Sequence, residues 1–540
     1  MIELFTARSG ARSVKVDGVA MHSPYDPARE AERFVRESFG ADLPSTVIVL
    51  GECAGHVAEA AARLRPGALV LAAVYSEEIA RAVPLRGIPW WHPGVPVPFS
   101  EFLRAQLDEL RIEGLRVLEW PPAARAFPGV SRTVREGLRQ VVQELNGSLV
   151  TTVAAGRIWL RNSMANFLYA GPVVDGRLCA PARPVVIAAP GPSLEEAARA
   201  LAADRKLYEL WALPSSCPFL AAAGMLPDLV VMTDPGFYSM HHLHFAAPPC
   251  PLAMPLSAAR GSWSLPVGPA GGGPPVFLLE QPVFFEQALL AAAGVAAPVI
   301  PPHGTVAATA IDLALASTSG PVVVAGLDMA SRDLLAHARP NAFDSLLQCE
   351  SSRLQPHASL AFHRAAALGS AGDARGPGLR VTAALRTYAG WFDADLGAGP
   401  GRMFRLLPSP VAIASMTPVD ASGFHSLLHG LPAAARGNSL AANAAYPPGD
   451  DRKRIARLLL RQWRSELDAA RTSLAHSGGT SSLASFPEAL ALSQFIAPRR
   501  MLDALKKSRL GQGAAAGGAA EAMLTECTTF LDELGERTIG

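Results

Sequence analysis

The stretch PVVIAAPGPSLEEAARAL, residues 184–201, decides the fold that we expect for the middle of this 540-residue chain. An apolar run of strand character passes through a Pro-Gly-Pro-Ser turn at 190–193 into an alanine-rich segment of helical character. A strand, a glycine turn and a helix in this order begin a βαβ unit. Ser193 is a good N-cap and Glu196 completes a capping box, so we predict that the helix begins at this serine.

Further apolar runs alternate with alanine-rich segments as far as about Leu327. The runs are LYELWAL (207–213), DLVVMTD (228–234), PVFLLE (275–280), APVIPP (297–302) and GPVVVAGLD (320–328). Strands that alternate with helices pair in parallel and are covered on both faces. The sequence therefore predicts an α/β protein with a Rossmann-like, doubly wound, mostly parallel sheet in a central domain, residues 151–410.

The N-terminal region has a different sequence pattern from the central one. Residues 1–150 mix strands and helices, and STVIVLGECAGHVAEAAARL (45–64) resembles a degraded nucleotide-binding βαβ unit. Gly51 and Gly55 are present and Glu77 stands near the position of a ribose-binding acid, but the full G-x-G-x-x-G pattern is missing. We favour an N-terminal α/β domain whose βαβ unit binds no ligand.

The C-terminal region, residues 411–540, is predicted as a helical domain because apolar residues recur at helical spacing in DRKRIARLLLRQWRSELDAARTSL (451–474). The segment GQGAAAGGAA (511–520) is predicted as a flexible linker before one last helix.

Bulk composition narrows the class of protein. Forty-eight basic and 47 acidic residues leave a net charge of +1, which favours neither nucleic acid nor an anionic membrane as partner. Apolar runs of 18 or more residues do not occur without Pro, Gly or charge, so we expect no membrane insertion. The six cysteines form no Cys-x-x-Cys pair and the first residues lack an apolar signal core, which predicts a cytoplasmic protein.

Several chemically useful groups follow the predicted strands. Asp234 and Asp328 end two of them, and Gly191 lets a ligand approach the backbone. Because the carboxyl ends of parallel strands share one edge of a sheet, we expect these groups to lie at a common crevice. The amides of Ser193 and Leu194 at the helix start would suit an anion, although such a turn also serves as a plain helix start.

Two histidines are placed on loops of the same edge. His303 precedes a second glycine-containing helix start, Gly304-Thr305, with Thr305 as its N-cap, and His337 follows Asp328. Each histidine alone could be an ordinary surface or core residue; together with the carboxylates they form a candidate general-base set. The cluster SMHHLHF (239–245) is predicted as a loop, in which adjacent histidines lack the i, i+4 geometry of a zinc helix. No cysteine or glutamate stands at the expected spacing, so we predict no metal site.

Taken in order, four motifs resemble one known family. They are VVIAAPGPSL (185–194), GMLPDLVVMTDP (224–235), HGTVAATAIDLAL (303–315) and VVVAGLDMA (322–330), and GRIWLRNSMANF (156–167) precedes them. These motifs are similar to the motility accessory factor (Maf) family of flagellin glycosyltransferases. That family is related to MptE-like 6-hydroxymethylpterin pyrophosphokinases and has a sialyltransferase-like central domain. The resemblance covers roughly Thr151 to Leu407, about half of the chain.

The resemblance implies a transferase that moves a nonulosonic acid of the pseudaminic, legionaminic or sialic type from its CMP-activated form onto Ser or Thr of flagellin. In this scheme the leaving phosphate contacts Gly191, Pro192, Ser193 and Leu194. Nucleotide binding also involves Gly304 and Thr305. His337 acts as base, with His303 in reserve, and Asp234 and Asp328 orient sugar hydroxyls.

No cofactor is required in this scheme, although the two carboxylates could hold Mg²⁺. Two alternatives stay open. One is a Mg²⁺-dependent diphosphate transferase acting on a pterin-like alcohol, and the other is a noncatalytic flagellin-binding protein that works through its C-terminal helices.

Overall fold

The computed structural model describes residues 1–41, 43–267, 273–301, 303–333, 335–367, 378–382, 385, 388–389, 392, 401–431, 437–477 and 480–539. The glycine-rich segment GSAGDARGPG (369–378), whose composition predicts a flexible or lid segment, lies almost wholly outside the described residues. The chain divides into two compact units. One comprises Met1–Gly156 with Trp463–Asp532, and the other comprises Arg157–Gln462 with Glu533–Gly540.

The strands are numbered in chain order. They are β1 (Ile2–Thr6), β2 (Arg12–Val16), β3 (Val19–Ala20), β4 (Thr46–Leu50), β5 (Leu69–Ala73), β6 (Trp90–Trp91), β7 (Leu115–Glu119), β8 (Val173–Arg177), β9 (Val185–Ala188), β10 (Glu209–Ala212), β11 (Leu229–Val231), β12 (Leu252–Pro255), β13 (Val276–Leu279), β14 (Val322–Ala325), β15 (Ser331–Arg332), β16 (Leu379–Arg380), β17 (Met403–Leu406), β18 (Thr417–Val419) and β19 (Ser439–Ala442).

The helices are numbered in the same way. They are α1 (Pro27–Phe39), α2 (His56–Leu64), α3 (Glu77–Ala82), α4 (Phe99–Arg104), α5 (Pro121–Ala126), α6 (Pro128–Tyr169), α7 (Ser193–Ala203), α8 (Cys217–Ala222), α9 (Phe237–Phe245), α10 (Phe284–Ala293), α11 (Val306–Ser317), α12 (Ala342–Glu350), α13 (His357–Ala367), α14 (Ala421–His429), α15 (Gly449–Ser477), α16 (Pro487–Ile496), α17 (Pro498–Arg509) and α18 (Gly513–Ile539).

The first unit contains the predicted βαβ arrangement. Strands β4 and β5 pair in parallel, from Thr46 opposite Leu69 to Leu50 opposite Ala73, and α2 connects them. The sheet order is β6-β5-β4-β7, and β1, β2 and β3 form a separate antiparallel sheet. All five residues of β4 are buried, as expected for a parallel strand covered on both faces.

The second unit is built on a ten-stranded sheet of order β18-β17-β14-β9-β10-β11-β12-β13-β8-β19. Neighbouring strands pair in parallel except for β8 and β19, which are antiparallel. The predicted fold class, a mostly parallel α/β sheet with helices after it, is confirmed. Strands β18 and β19 continue the same sheet beyond residue 410, past the predicted end of the central domain.

The strand order places a topological switch point between β9 and β14. From β9 the chain continues through β10 to β13 on one side, and it returns to the other side of β9 with β14. In open parallel sheets the loops after two such strands diverge and leave a crevice at the carboxyl edge. This edge is where Gly191 and Asp328 were expected, and both follow the two central strands there.

Three local predictions need correction. Helix α7 begins at Ser193 with Pro192 in the N-cap position, so the serine is the first helical residue instead of the cap. The predicted linker 511–520 is helical from Gly513. The predicted C-terminal domain is not one body in the two-unit division, because residues 463–532 group with the N-terminal residues.

Within the described part of the chain, no helix has both the length and the apolar character needed to cross a membrane.

Candidate functional site

The turns after β9 and β14 are in direct backbone contact. The N–H of Gly191 donates to the carbonyl of Gly326 over 2.8 Å. A Cβ atom at Gly191 would lie 2.4 Å from that carbonyl oxygen, and one at Gly326, where φ is +74°, would lie 2.2 Å from the carbonyl oxygen of Ala189. Both positions therefore need glycine, because any side chain would force the two strand ends apart.

The carboxylate of Asp328 lies against the start of α7. It accepts the backbone N–H of Ser193 over 2.8 Å and also accepts the hydroxyl of the same serine. Asp328 is 4% exposed, and its burial raises the pKa of the carboxyl group, while the two bonds from Ser193 act in the opposite direction. The carboxylate thus takes the place that an anion takes at a helix N-terminus.

This arrangement corrects the predicted phosphate cradle. The amide of Gly191 donates to Gly326, that of Ser193 to Asp328, and that of Leu194 to the carbonyl of Gly191 over 3.0 Å. Pro192 has no N–H to offer. The amides expected to meet a leaving phosphate therefore already have acceptors inside the protein.

The predicted capping box is also wrong, because Ser193 is not the N-cap and Glu196 pairs with a side chain outside the helix. Glu196 forms an ion pair with Arg332, which follows β14. Glu195 accepts the backbone N–H of Arg339 over 2.7 Å. The first turn of α7 therefore fastens the segment after β14.

An open cleft of about 460 Å³ lies beside this turn. Its lining residues are Arg332, Leu407, Pro408, Ser409, Pro410 and Asp420. The hydroxyl of Ser409 donates to the carbonyl of Leu327 over 2.8 Å, which joins the cleft to the buried backbone next to Asp328. A volume of this size is sufficient for a small ligand.

His337 lies next to the same turn, since the amide of the following residue, Ala338, donates to the carbonyl of Pro190 over 2.7 Å. The ring centroid of His337 is 6.3 Å from that of His242. Both rings contact Phe343, with centroid distances of 5.4 Å from His337 and 4.8 Å from His242. Burial lowers the pKa of each imidazole to about 4. Both histidines are therefore neutral at physiological pH and able to accept a proton.

The SMHHLHF segment is a helix and not the predicted loop. It forms most of α9. Its role in the site was missed: His242 faces His337, and the Tyr238 ring lies 5.2 Å from Phe343. The guanidinium of Arg364 lies over the Phe343 ring at 4.1 Å, within the range of a cation–π contact. The histidine pair thus contacts the Phe343 ring, and one cation lies over that ring.

His303 pairs with a carboxylate outside the candidate set of Asp234 and Asp328. Its Nε2 lies 2.5 Å from Oδ2 of Asp312 on α11, and the imidazole is nearly buried. Thr305 is the N-cap of α11, as predicted, and accepts the N–H of Ala308 over 3.1 Å. Because α11 runs back against β14, Gly304 and Thr305 stand at the carboxyl edge of the sheet, but the carboxylate that holds His303 was not foreseen.

Asp234 is exposed at the end of β11. Its Oδ1 accepts the N–H of Gly236 over 2.7 Å, and its carbonyl accepts the N–H of Ala259 over 2.9 Å. These bonds join the loops after β11 and β12 and leave one carboxylate oxygen facing solvent. The predicted role of Asp234 in substrate binding stays a prediction.

Two asparagines that sequence reasoning missed hold these loops in place. The side-chain amide of Asn162 donates to the carbonyls of Pro235 and Ser257, at 3.0 and 3.3 Å. That of Asn166, one helical turn further along α6, donates to Leu256 and Ala258, at 2.8 and 2.9 Å. The signal in the sequence is a pair of amides four residues apart on an otherwise apolar helix face.

Glu286 was missed as well. It is completely buried, and its carboxylate accepts the amides of Ser257 and Gln281, both over 2.9 Å. Burial raises its pKa to about 7. A buried titrating carboxyl at the ends of β12 and β13 is a candidate functional group.

In the first unit a carboxylate fills the equivalent turn of the βαβ arrangement. Oε1 of Glu52 accepts the amides of Cys53, Ala54 and Gly55 at 2.8 to 3.0 Å, and Oε2 accepts that of Ala58 at 2.8 Å. The donors that a nucleotide phosphate would need at the start of α2 are thus occupied, which supports a βαβ unit without a ligand.

Comparisons with known proteins agree with this architecture. Residues 175–333 match the family described as 6-hydroxymethylpterin diphosphokinase MptE-like. Two proteins of Treponema pallidum (strain Nichols), both described as "Uncharacterized protein", are each 25% identical to the chain. The first alignment covers 274 residues, 51% of this chain and 55% of the relative, and the second covers 126 residues, 22% and 57%. The chain thus spans little more than half the length of these relatives.

A solved structure extends the comparison beyond the family match. The MAf glycosyltransferase from Magnetospirillum magneticum AMB-1 is similar to 99% of this chain and 92% of its own, with a TM-score of 0.60 and 12% identity. The resemblance predicted from the motifs is confirmed: the chain carries an MptE-like domain and has the fold of a Maf glycosyltransferase.

Proposed function

We propose that this protein is a glycosyltransferase that moves a CMP-activated nonulosonic acid onto Ser or Thr hydroxyls of flagellin in the cytoplasm, as flagellar assembly and motility require. One observation carries the proposal. The MptE-like match, residues 175–333, contains the Ser193–Asp328 pair at the switch point, inside a fold similar to that of a Maf glycosyltransferase.

His337 is the proposed base for the acceptor hydroxyl. A pKa of about 4 makes its imidazole a weak base before substrate binds. An anionic donor sugar bound beside the histidine would raise this pKa, because a nearby negative charge favours the protonated imidazole. Donor binding would therefore prepare the base for the hydroxyl proton.

Charge on the departing CMP needs donors other than the amides of the α7 turn, which are occupied. We assign this role to two cationic side chains, Arg332 of β15 in the cleft and Arg364 of α13 beside the histidine pair. Direct displacement by the acceptor oxygen would then invert the anomeric centre.

A second candidate is diphosphate transfer from ATP to a pterin-like alcohol, which the MptE-like family match favours. In that reaction Mg²⁺ bridges the phosphates, and Asp234 offers a solvent-facing carboxylate oxygen as ligand. Asp328 is less suitable, since both of its oxygens accept bonds from Ser193.

The test incubates the full-length protein with flagellin and a CMP-nonulosonic acid and measures flagellin by intact-mass spectrometry. We expect a mass increase of one sugar per modified site, strongly reduced for His337→Gln and retained for His363→Gln, an exposed histidine of α13.

Calorimetric titration should show binding of CMP without Mg²⁺. Tight binding of ATP that requires Mg²⁺, with no change in flagellin mass, would favour the second candidate. Flagellar assembly and motility that survive substitution of both His337 and Asp328 would indicate a noncatalytic flagellin-binding protein.

A further inference from the structure

A histidine pair on α14 faces a buried carboxylate at the end of α7. His425 and His429 are four residues apart and lie on one face of the helix. Nδ1 of His425 is 3.0 Å from Oδ2 of Asp204, and Nε2 of His429 is 3.1 Å from Oδ1. The ligand atoms of the three residues all lie within 4.8 Å of one another.

The spacing of these atoms suits a metal ion. With metal–ligand bonds of about 2.0 Å at tetrahedral angles, neighbouring ligand atoms around zinc are about 3.3 Å apart. Oδ1 of Asp204 lies 3.2 Å from Nδ1 of His425 and 3.1 Å from Nε2 of His429, so both separations from one carboxylate oxygen are close to this value. A small shift of the exposed histidine side chains would centre an ion between them.

The electrostatic setting also favours a cation. Asp204 is the C-cap of α7 and its side chain is only 7% exposed, so a negative group is buried at the negative end of the helix dipole. The two imidazoles are more than half exposed, at 58% and 52%, which leaves a path for an ion and room for a water ligand.

We propose that Asp204, His425 and His429 bind one Zn²⁺ ion, with water in the fourth position. The site is separate from the strand-end crevice. Helix α7 has 11 residues, so about 16 Å of helix separates Asp204 from Ser193 at the usual rise per residue. The ion would fasten α14 to α7 and so support the helix on which the Ser193–Asp328 pair is built. The assignment does not depend on the proposed transferase activity.

The test uses the full-length protein after treatment with a chelator and dialysis. Titration with ZnCl₂ should give one ion per chain and raise the melting temperature. When Co²⁺ replaces Zn²⁺, the protein should show the visible absorption of a tetrahedral cobalt site. The variant His429→Ala is expected to lose at least about tenfold in Zn²⁺ affinity, and its matched control is His363→Ala, another exposed histidine on a helix.

Asp204→Asn provides a second variant that keeps the size of the side chain. Circular dichroism of each variant shows whether it is folded, so that lost binding can be assigned to the missing ligand. Equal zinc binding by His429→Ala and His363→Ala would overturn the proposal. So would the absence of zinc binding by the unaltered protein, in which case the cluster would be a pair of histidine–carboxylate hydrogen bonds.

Discussion

Ser193 donates both its backbone N–H and its hydroxyl to the carboxylate of Asp328, 135 residues further along the chain. The pair joins the carboxyl ends of β9 and β14, the two strands on either side of the switch point. In the first unit the carboxylate of Glu52 accepts backbone N–H groups at the start of α2 in a related way. In both units an internal carboxylate satisfies the amides that a phosphate would otherwise use.

Asp328→Asn is expected to destabilise the second unit by about 1–3 kcal/mol, because one buried donor of Ser193 then faces an amide N–H₂ instead of a carboxylate oxygen. Urea unfolding measures the change. The control is Glu350→Gln at the exposed end of α12, which also removes one carboxylate. Equal effects of the two substitutions would show that the Ser193–Asp328 bonds contribute nothing to stability.

Gly191→Ala should lower the melting temperature and reduce the yield of soluble protein. The added methyl group would lie 2.4 Å from the Gly326 carbonyl oxygen and 2.6 Å from Cγ of Asp328, so the strand ends must separate, at a cost of about 1–3 kcal/mol or more. Gly449→Ala is the control, since the nearest atom there is the end of a flexible arginine at 3.8 Å. Similar melting temperatures for the two variants would contradict the close contact described at Gly191.

The buried His242 makes stability depend on pH. Its pKa is about 4 in the folded chain, below the ordinary 6.5, because of burial and, to a smaller extent, the nearby His337, His241 and Arg364. Between pH 4 and 6.5 the unfolded chain therefore binds more protons than the folded one, so this contribution rises with pH and is lost as pH falls through the window.

His242→Phe keeps an aromatic ring on Phe343 and removes the titration. Relative to the unaltered protein, the variant should gain up to about 2 kcal/mol of stability on going from pH 7 to pH 5. The measurement is the difference in unfolding free energy at the two pH values, with His363→Phe as control. If His242→Phe and the control change alike between pH 7 and pH 5, then His242 does not titrate as described.

Glu52→Ala should destabilise the first unit by about 3 kcal/mol or more, since four backbone N–H groups lose a charged acceptor. The matched control is Glu59→Ala, an exposed acidic residue on α2, the helix that follows Glu52. Hydrogen exchange of the amides of Cys53, Ala54, Gly55 and Ala58 provides a local readout and should accelerate only in the first variant. Unchanged exchange would mean that the carboxylate does not hold this turn.

Much of the central fold could be predicted from the sequence. Strands β9, β11, β13 and β14 are apolar throughout and β10 is apolar except for Glu209, which is typical of strands buried on both faces. Most of the helices between them are rich in alanine. APVIPP was predicted as a strand and contributes only a single bridge at Val299. Strand β12, LAMP, was missed because four residues that include a proline carry little strand signal.

The sequence by itself determined that Gly191 and Asp328 stand at one edge of a parallel sheet, because the alternation of strand and helix fixes which strand ends meet there. Only the tertiary structure decided what those groups bind. It places Asp328 on the amides of α7, His242 opposite His337, and Asp204 under the histidines of α14. Such contacts join residues 95 to 225 positions apart. Their geometry depends on how turns and helices pack in three dimensions, which local sequence patterns do not encode.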